Sequence, residues 1–456
     1  MNMVKSLLLG SAAGLVAVAG AQAADLPVKA KAVEYVKVCS AYGAGYYYIP
    51  GTDTCLKIGG YVRFDAYVNA TGTMNPFISN QTLGNGLRTN DLTDNYRTRT
   101  RGLISLDART QTDYGVLRSY AAFGGNLNSW SSTNGDTSLE VDRAFIQFAG
   151  LTAGYTTSFF DPNMNYMMTT PYTMTKRKLN QLGYTAQFGN GFSATIAVED
   201  QRFVDVYDQQ AYGPNVRGGS EAPDIVGNLR LEQAWGSAQL AVAAHQSRVA
   251  YAAAAFDDST DVWGWGIGGT LEFNLDALSP GDSFFVTAAY GDGALNYVGL
   301  NGSDRASTNA TQFGRVTNNS LGMLGGAFYQ LSDIVYNGVN DYDKTKAWSI
   351  NGQFRHFWTP GLRSAVMVGY VDVDAPETAF ALNNGFADFN MWQVGFNTIW
   401  SPVKNLDIGA EVLYSKVEGK HDYNDGSAFQ ALNPVGVGYG GSTDLVSGGV
   451  RIQRNF

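Results

Sequence analysis

Apolar and polar side chains alternate along most of this chain, and this period of two constrains the fold more than any other feature. Near the amino terminus, Ile58, Val62 and Phe64 fall on one parity, whereas Arg63 and Asp65 fall on the other. Successive side chains of a strand point to opposite faces, so each such run predicts a β-strand with one apolar and one polar face. Alternation alone fits a soluble sandwich as well as a barrel in lipid.

The connections between these runs distinguish the two folds. Sixteen strands are predicted, at 56–69, 96–109, 114–123, 138–149, 151–158, 179–188, 192–199, 225–235, 238–246, 262–274, 283–291, 345–358, 362–372, 390–400, 405–417 and 445–456. Short turns such as 189–191 alternate with long polar loops such as 159–178 and 292–344, which is the pattern of an outer-membrane barrel. A β-propeller would show a repeat of about 40–50 residues, which the sequence lacks. The sequence therefore predicts an all-β fold, a transmembrane antiparallel β-barrel with short periplasmic turns and long extracellular loops.

The composition agrees with a chain of short strands and excludes several other classes. The chain contains 54 Gly and is 13% aromatic, 45% hydrophobic and only 16% charged, which excludes a disordered chain. Its formal net charge is −9. A nucleic-acid-binding protein needs a basic face, so no nucleic-acid partner is predicted.

The amino terminus has the features of a secretory signal peptide. Lys5 precedes an apolar run, and the small-residue exit Ala21-Gln22-Ala23 follows it. Three segments are expected, namely a signal peptide at 1–23, a periplasmic amino-terminal segment at 24–55 and the barrel at 56–456.

The two cysteines and three histidines do not suggest a metal site. Cys39 and Cys55 lie in a chain expected to leave the cytoplasm, where a disulfide is the expected state. His245, His356 and His421 are remote from one another in the sequence. No metal and no cofactor is predicted.

Aromatic residues recur at the ends of strands that run toward the short turns. Such rings suit the interface between hydrocarbon and water, where they form a belt. Phe and Trp are also good strand residues, but that preference does not put them at matching ends. The predicted aromatic girdle consists of Phe148, Phe188, Trp235, Phe273, Trp358, Trp400 and Phe456.

Several motifs resemble those of a known family. Residues 38–45 (VCSAYGAG) and 47–63 (YYIPGTDTCLKIGGYVR) resemble the opening of the general porins of alphaproteobacterial, rhizobial-type outer membranes. Residues 97–101 (RTRTR), residues 144–150 (AFIQFAG) and the terminal Phe456 are similar to the same pattern. The resemblance implies a homotrimer of sixteen-stranded barrels in the outer membrane, each an open pore for small hydrophilic solutes and ions. Outer-membrane lipid and lipopolysaccharide are the other partners it implies.

A row of arginines is the strongest candidate for a functional site. Arg97, Arg99 and Arg101 share one parity and must face the same side of their strand. Each Arg facing lipid would cost about 2–4 kcal/mol near the midplane, so the row is expected to face the lumen. Arg63 and Arg118 of the neighbouring strands are predicted to join it. A solvated face without a role in selection is the alternative.

The third long loop, residues 159–178, is expected to fold into the pore, as in general porins. It contains Asp161, Lys176 and Arg177, which are predicted to line the constriction. A carboxylate opposite fixed arginines would set up a transverse field that filters ions by charge. Equally, Asp161 fits a role in capping a turn before Pro162.

Other charges on the lumen parity have both signs and are expected only to keep the channel wet. They are Glu199, Arg230, Glu232, Glu272, Arg355, Glu411 and Arg451. A substrate-specific channel and a barrel-anchored adhesin remain alternatives. An enzyme is not predicted, since no hydrolase motif surrounds the histidines.

We predict that the mature chain begins at Ala24 and contains a disulfide between Cys39 and Cys55. Intact-mass measurement of the purified protein should show the loss of residues 1–23 and of two hydrogens. Free thiols on the unreduced protein would contradict the disulfide.

Overall fold

The computed structural model describes residues 37–71, 74–76, 96–129, 137–200, 206–208, 213–214, 221–250, 259–300, 312–313, 329–330, 333–336, 341–376, 388–420 and 442–456. The predicted signal peptide and His421 lie outside the described residues. Sixteen long strands form one sheet and are numbered here in chain order. The first eight are β1 (Cys55–Val68), β2 (Tyr96–Thr112), β3 (Gly115–Asn128), β4 (Thr137–Phe148), β5 (Leu151–Thr157), β6 (Lys178–Gly189), β7 (Phe192–Glu199) and β8 (Asp224–Gln233). The other eight are β9 (Gly236–Ala250), β10 (Ser259–Asn274), β11 (Ser283–Asp292), β12 (Lys346–Thr359), β13 (Leu362–Asp374), β14 (Phe389–Val403), β15 (Leu406–Gly419) and β16 (Ser442–Asn455).

Each strand pairs antiparallel with the next, and the sheet closes on itself because β1 pairs with both β2 and β16. This confirms the predicted closed barrel of sixteen strands. Closure removes the unpaired edges of an open sheet, which is required of a sheet in lipid. Within the described part of the chain, no helix combines the length and the apolar character needed to cross a bilayer.

The alternation in the sequence becomes an inner and an outer face. In β12, Trp348 and Ile350 are exposed on the outside, whereas Ser349, Asn351 and Gln353 are buried inside. The same parity holds in β1, where outward residues are apolar and the inward ones are charged or polar. The outer band is therefore apolar and the lumen is polar, as the period of two predicts.

Several strands extend beyond their predicted ends. β2 continues to Thr112, β3 continues to Asn128, and β9 runs through to Ala250. Backbone pairing needs no apolar side chain, so the ladder continues past the point at which the apolar pattern stops. Arg454, which interrupts the apolar parity of β16, donates from its guanidinium to the Lys404 carbonyl at the short-turn rim.

The amino-terminal segment is anchored at the short-turn rim. Cys39 and Cys55 form the predicted disulfide, with their Cα atoms 6.0 Å apart. The short strand Tyr47–Tyr48 pairs with the start of β1. Tyr46 donates its hydroxyl to Asp107 of β2 at 2.8 Å, and burial together with this hydrogen bond raises the pKa of Tyr46.

The connections follow the predicted alternation. Short turns at 113–114, 149–150, 190–191, 234–235, 275–282, 360–361 and 404–405 lie at one rim. The third long connection, residues 158–177, enters the barrel, where its Phe160, Thr173 and Met174 are almost completely buried. A 3₁₀ turn at Leu295–Tyr297 packs on it, with the Phe160 and Tyr297 rings 4.6 Å apart.

Candidate functional site

The predicted arginine wall, Arg97, Arg99 and Arg101, lies on the lumen face of β2. The three side chains have exposed fractions of 8%, 5% and 4%. The strand register puts Arg101 opposite Arg63 of β1 and Arg99 opposite Asp65. Four guanidinium groups thus come together across two neighbouring strands.

Carboxylates from the barrel wall, not from the loop, partner this group. Arg63 lies 3.0 Å from Asp65, and Arg101 lies 3.2 Å from both Glu140 and Asp142 of β4. Such pairs hold the long side chains against the wall, with their charges partly balanced. Arg99 is fixed by hydrogen bonds of 3.0 and 2.7 Å from its Nε and Nη2 to the neutral amide oxygen of Asn126 on β3.

Arg118 occupies a different level of the barrel. It donates to Asp107 through two nitrogens, at 3.0 and 2.9 Å, and Arg109 contacts the same carboxylate. Asn126, the partner of Arg101 in the register, is eight residues further along β3, which is about 26 Å at 3.3 Å per residue. Arg118 therefore lies near the short-turn end of β3 and does not join Arg97, Arg99 and Arg101 at their level.

Glutamine side chains of the far wall hold the third loop across the lumen. Gln353 of β12 accepts the backbone N–H of Tyr166 at 2.7 Å. Gln393 of β14 accepts the backbone N–H of Tyr172, also at 2.7 Å. A buried backbone donor without a partner is costly, so these two side chains replace the water that the loop gives up.

Glu411 and Arg451 fix the tip of the loop. Glu411 of β15 accepts the N–H of Met168 at 2.5 Å and the next amide at 2.9 Å. Arg451 of β16 donates to the Met168 carbonyl at 3.1 Å and to Asp65 at 2.6 Å. Because Asp65 stands between Arg451 and Arg99 in the strand register, the loop tip and the arginine wall lie at one level.

Two glycines on the lumen face allow the loop to lie close to the wall. A Cβ at Gly369 of β13 would lie 1.9 Å from the hydroxyl of Thr173. A Cβ at Gly268 of β10 would lie 2.9 Å from the ring of Phe160. Both distances are shorter than van der Waals contact, so an unlinked side chain at either position would push the loop away from the wall.

Asp161 pairs within its own loop and does not face the arginine wall, which was one of the two roles expected for it. Its carboxylate pairs with Arg177 of the same loop at 3.1 Å and accepts a hydrogen bond from Thr175 at 2.9 Å. Arg177 is itself buried, with its guanidinium 4.0 Å from the centre of the Tyr297 ring. Burial by itself lowers the pKa of Arg177, but the negative charge of Asp161 outweighs it and raises the pKa above its ordinary value. This pair holds the loop together, and Arg177 is not on the water surface.

The remaining predicted residues are Lys176 of the loop and the aromatic girdle on the outside of the barrel. Lys176 is half-buried beside Arg177. All seven residues of the predicted girdle lie near the short-turn ends of the strands, where Phe148 is half-buried and the other six are exposed. The exposed members are Phe188, Trp235, Phe273, Trp358, Trp400 and Phe456.

The two described histidines are engaged in structural pairs. His245 is buried inside the barrel, with Nδ1 2.8 Å from Asp224. His356 lies near the short-turn rim, 2.6 Å from Asp282. Across the described residues, no group of three or more His, Cys, Asp and Glu is arranged to hold a metal ion.

The residues that position the loop were not singled out from the sequence. Glu199 and Glu411 were expected only to keep the lumen wet, yet Glu199 accepts hydrogen bonds from Ser158 at 2.7 Å and from the next residue's amide at 2.8 Å. The available signal was the presence of long polar side chains at inward positions in mid-strand, as at Gln353 and Gln393. Side chains of this length can hydrogen-bond to a loop that folds into the barrel.

Comparisons with known proteins agree with this geometry. The profile of the family described as the Porin subfamily matches residues 25–435. Porin Omp2b of Brucella suis is 36% identical over 256 residues, which cover 51% of this chain and 64% of the relative, and Porin Omp2b of Brucella canis is 34% identical over 247 residues with the same coverage. The solved outer membrane channel DcaP of Acinetobacter baumannii has the same fold, with a TM-score of 0.63 and 18% identity over 90% of this chain and 99% of that one. The chain therefore belongs to the Porin subfamily, the resemblance to alphaproteobacterial porins is confirmed, and the bacterial outer membrane is its location.

Proposed function

We propose that this chain forms a water-filled channel through which small hydrophilic solutes and ions diffuse passively across the outer membrane. The observation that carries the proposal is the closed barrel with a charged lumen, in which Arg63, Arg97, Arg99 and Arg101 face inward and apolar side chains face outward. Charged groups in such numbers need water or counterions, which an open pore supplies. The matched family and relatives are porins, so we propose a channel and assign no catalytic reaction.

The narrowest part of the pore, in this proposal, lies between the arginine wall and the third loop. Two observations support it, namely that Arg451 contacts both Met168 of the loop and Asp65 of β1, and that Asp65 stands opposite Arg99. The carboxylates near this level come from the barrel wall. Unit charges about 4 Å apart interact by about 4 kcal/mol at an effective dielectric of 20, so ions passing here would be sorted by charge.

We also propose that the chain assembles as a homotrimer whose exposed apolar band contacts outer-membrane lipid and lipopolysaccharide. The support is family membership and an outer surface on which Trp265, Ile350 and Val394 are each more than two fifths exposed. An apolar band of this kind requires lipid or another subunit to cover it. A substrate-specific channel or an adhesin remains a weaker candidate, since no described feature favours either.

Replacing Arg97, Arg99 and Arg101 together by Ala should shift the permeability of the channel toward cations. The change removes three positive charges from one level of the pore, and the shift should be larger in dilute salt because screening is weaker there. The measurement is the reversal potential of single channels in a KCl gradient. Arg230→Ala is the comparison variant, and it should change the reversal potential less because that guanidinium lies outside the arginine wall and pairs with Glu232 at 2.8 Å.

An unchanged reversal potential in the triple variant would mean that the arginines line a wide, screened part of the channel. In that case the charge filter would have to lie elsewhere. A shift of the same size in the Arg230→Ala variant would instead mean that total lumen charge, and not the arginine wall, controls selection.

The proposed trimer should survive mild detergent and dissociate on heating. Unheated protein should migrate as an oligomer in gel electrophoresis and show a β-type circular dichroism spectrum, since closed barrels resist unfolding by detergent. A monomer by light scattering in mild detergent would contradict the assembly, and a helical spectrum would contradict the fold.

A further inference from the structure

A second basic region lies on the short-turn side of the third loop and borders the arginine wall at Arg451. It is a pocket of about 240 Å³ between the loop residues Asn165 to Met168 and the lumen face of β12 to β16. Arg355, Arg363 and Arg451 line it, together with a single carboxylate, that of Asp407. We infer that this pocket binds a small oxyanion, a phosphate or carboxylate group, as the solute passes the loop.

The carboxylates at this pocket do not balance its arginines. Asp407 is fully engaged by Arg363 at 3.1 Å and by the Ser401 hydroxyl at 2.5 Å. Asp65, which pairs with Arg451 at 2.6 Å, also serves Arg63 at 3.0 Å. One carboxylate therefore serves two guanidinium groups, and the pair formed by Arg63 and Arg451 keeps a net positive charge.

Arg355 supplies the remaining positive charge of the pocket that no carboxylate balances. Among the described residues, no carboxylate lies within ion-pair distance of its guanidinium, whose Nη2 donates only to the Gly281 carbonyl and the Ser283 hydroxyl. The group lies 4.5 Å from the centre of the Tyr166 ring of the loop. A cation–π contact of this kind uses the face of the ring and does not consume the N–H donors of the guanidinium group, which can still bind an oxygen acceptor.

Some nitrogens of these arginines are shut off from the pocket. Within the described part of the chain, Nε of Arg355 and Nη2 of Arg451 are buried, so a ligand in the pocket cannot reach them. Contact with an oxyanion is therefore expected from the accessible guanidinium nitrogens, and phosphate and carboxylate provide the oxygen acceptors for it. In the arginine wall, Arg99 contacts Asn126, and Arg101 contacts Glu140 and Asp142.

The size and the other lining residues restrict the ligand further. A volume of about 240 Å³ lies below the range of about 300 to 1,000 Å³ typical of drug-sized ligands, so the solute is small. Met167 and Ile399 supply apolar wall, whereas Asn165 and Gln453 supply polar groups. The pocket therefore suits a phosphate, or a short polycarboxylate, with little apolar surface of its own.

The test uses single channels in planar bilayers in dilute KCl, with inorganic phosphate or citrate added. This inference rests on the proposed channel, so conduction of KCl is established first. Either anion should then reduce the KCl current in a concentration-dependent way. In Arg355→Gln the half-blocking concentration should rise about tenfold, the effect expected from losing one charge-assisted contact. Arg355→Lys keeps the charge but not the planar group, so its half-blocking concentration should lie between those of the wild type and Arg355→Gln.

Arg230→Gln is the matched control for loss of one lumen charge. Arg230 lies on β8, outside the pocket, where it pairs with Glu232 at 2.8 Å. Its variant should keep the half-blocking concentration of the wild type. An equal rise in both Gln variants would mean that the anions respond only to total lumen charge, which would overturn the pocket. Block by one of the two anions alone would support the pocket and identify its oxyanion.

A second readout separates this inference from the proposed function. The ³¹P resonance of inorganic phosphate should broaden on addition of the purified protein in a phosphorus-free detergent, and Arg355→Gln should abolish the broadening. Broadening without KCl conduction would overturn the channel and leave the pocket standing. KCl conduction with neither block nor broadening would overturn the pocket and leave the channel standing.

Discussion

Hydrogen bonds between the third loop's backbone and side chains of the barrel wall determine the shape of the lumen. A loop inside a barrel loses much of its contact with water, and each buried amide without a partner costs about 1–3 kcal/mol. Gln353, Gln393 and Glu411 accept these amides, and they lie on three strands of the wall opposite to the loop's own strands. The loop can therefore cross the lumen as a fixed partition.

Packing and charge both follow from this partition. Glycines at 268 and 369 leave room for Phe160 and Thr173, although glycine is a poor strand residue and looks unfavourable there on sequence grounds. On the face of the loop that is turned toward β1, guanidinium groups come together around Asp65, which stands between β16 and β2. The positive charge of the pore is consequently concentrated near the loop and not spread evenly along the strands.

The sequence predicted the fold well, because an apolar period of two and the alternation of turn lengths are local signals. All sixteen strands were located, and the inward parity of Arg97, Arg99 and Arg101 was correct, since a one-residue slip would put them in lipid. The strand ends were less accurate, because pairing of the backbone continues through polar residues. The contacts of the third loop with the barrel wall could not be predicted from these local signals.

Long-range contacts account for the errors at the site. Met168 and Glu411 are 243 positions apart, so the local sequence around one residue does not indicate its contact with the other. For Asp161 the sequence left two roles open, facing the arginine wall and capping a turn, and its observed partner Arg177, sixteen positions away in the same loop, was not recognised. Arg118 shares the parity of the lumen but not the level of the wall, and parity carries no information about height along a strand.

The most direct measurement is a cross-link between the loop and the wall. In the structure the Cβ of Thr173 lies 2.7 Å from the Cβ that a side chain at position 369 would have, so a disulfide, with Cβ atoms about 3.8 Å apart, can form once the two segments separate by about 1 Å. The native cysteines are already paired with each other. The double variant Thr173→Cys, Gly369→Cys should lose two further hydrogens by intact mass without added oxidant, whereas each single variant should keep one free thiol. Two free thiols in the folded double variant would contradict a loop fixed across the lumen.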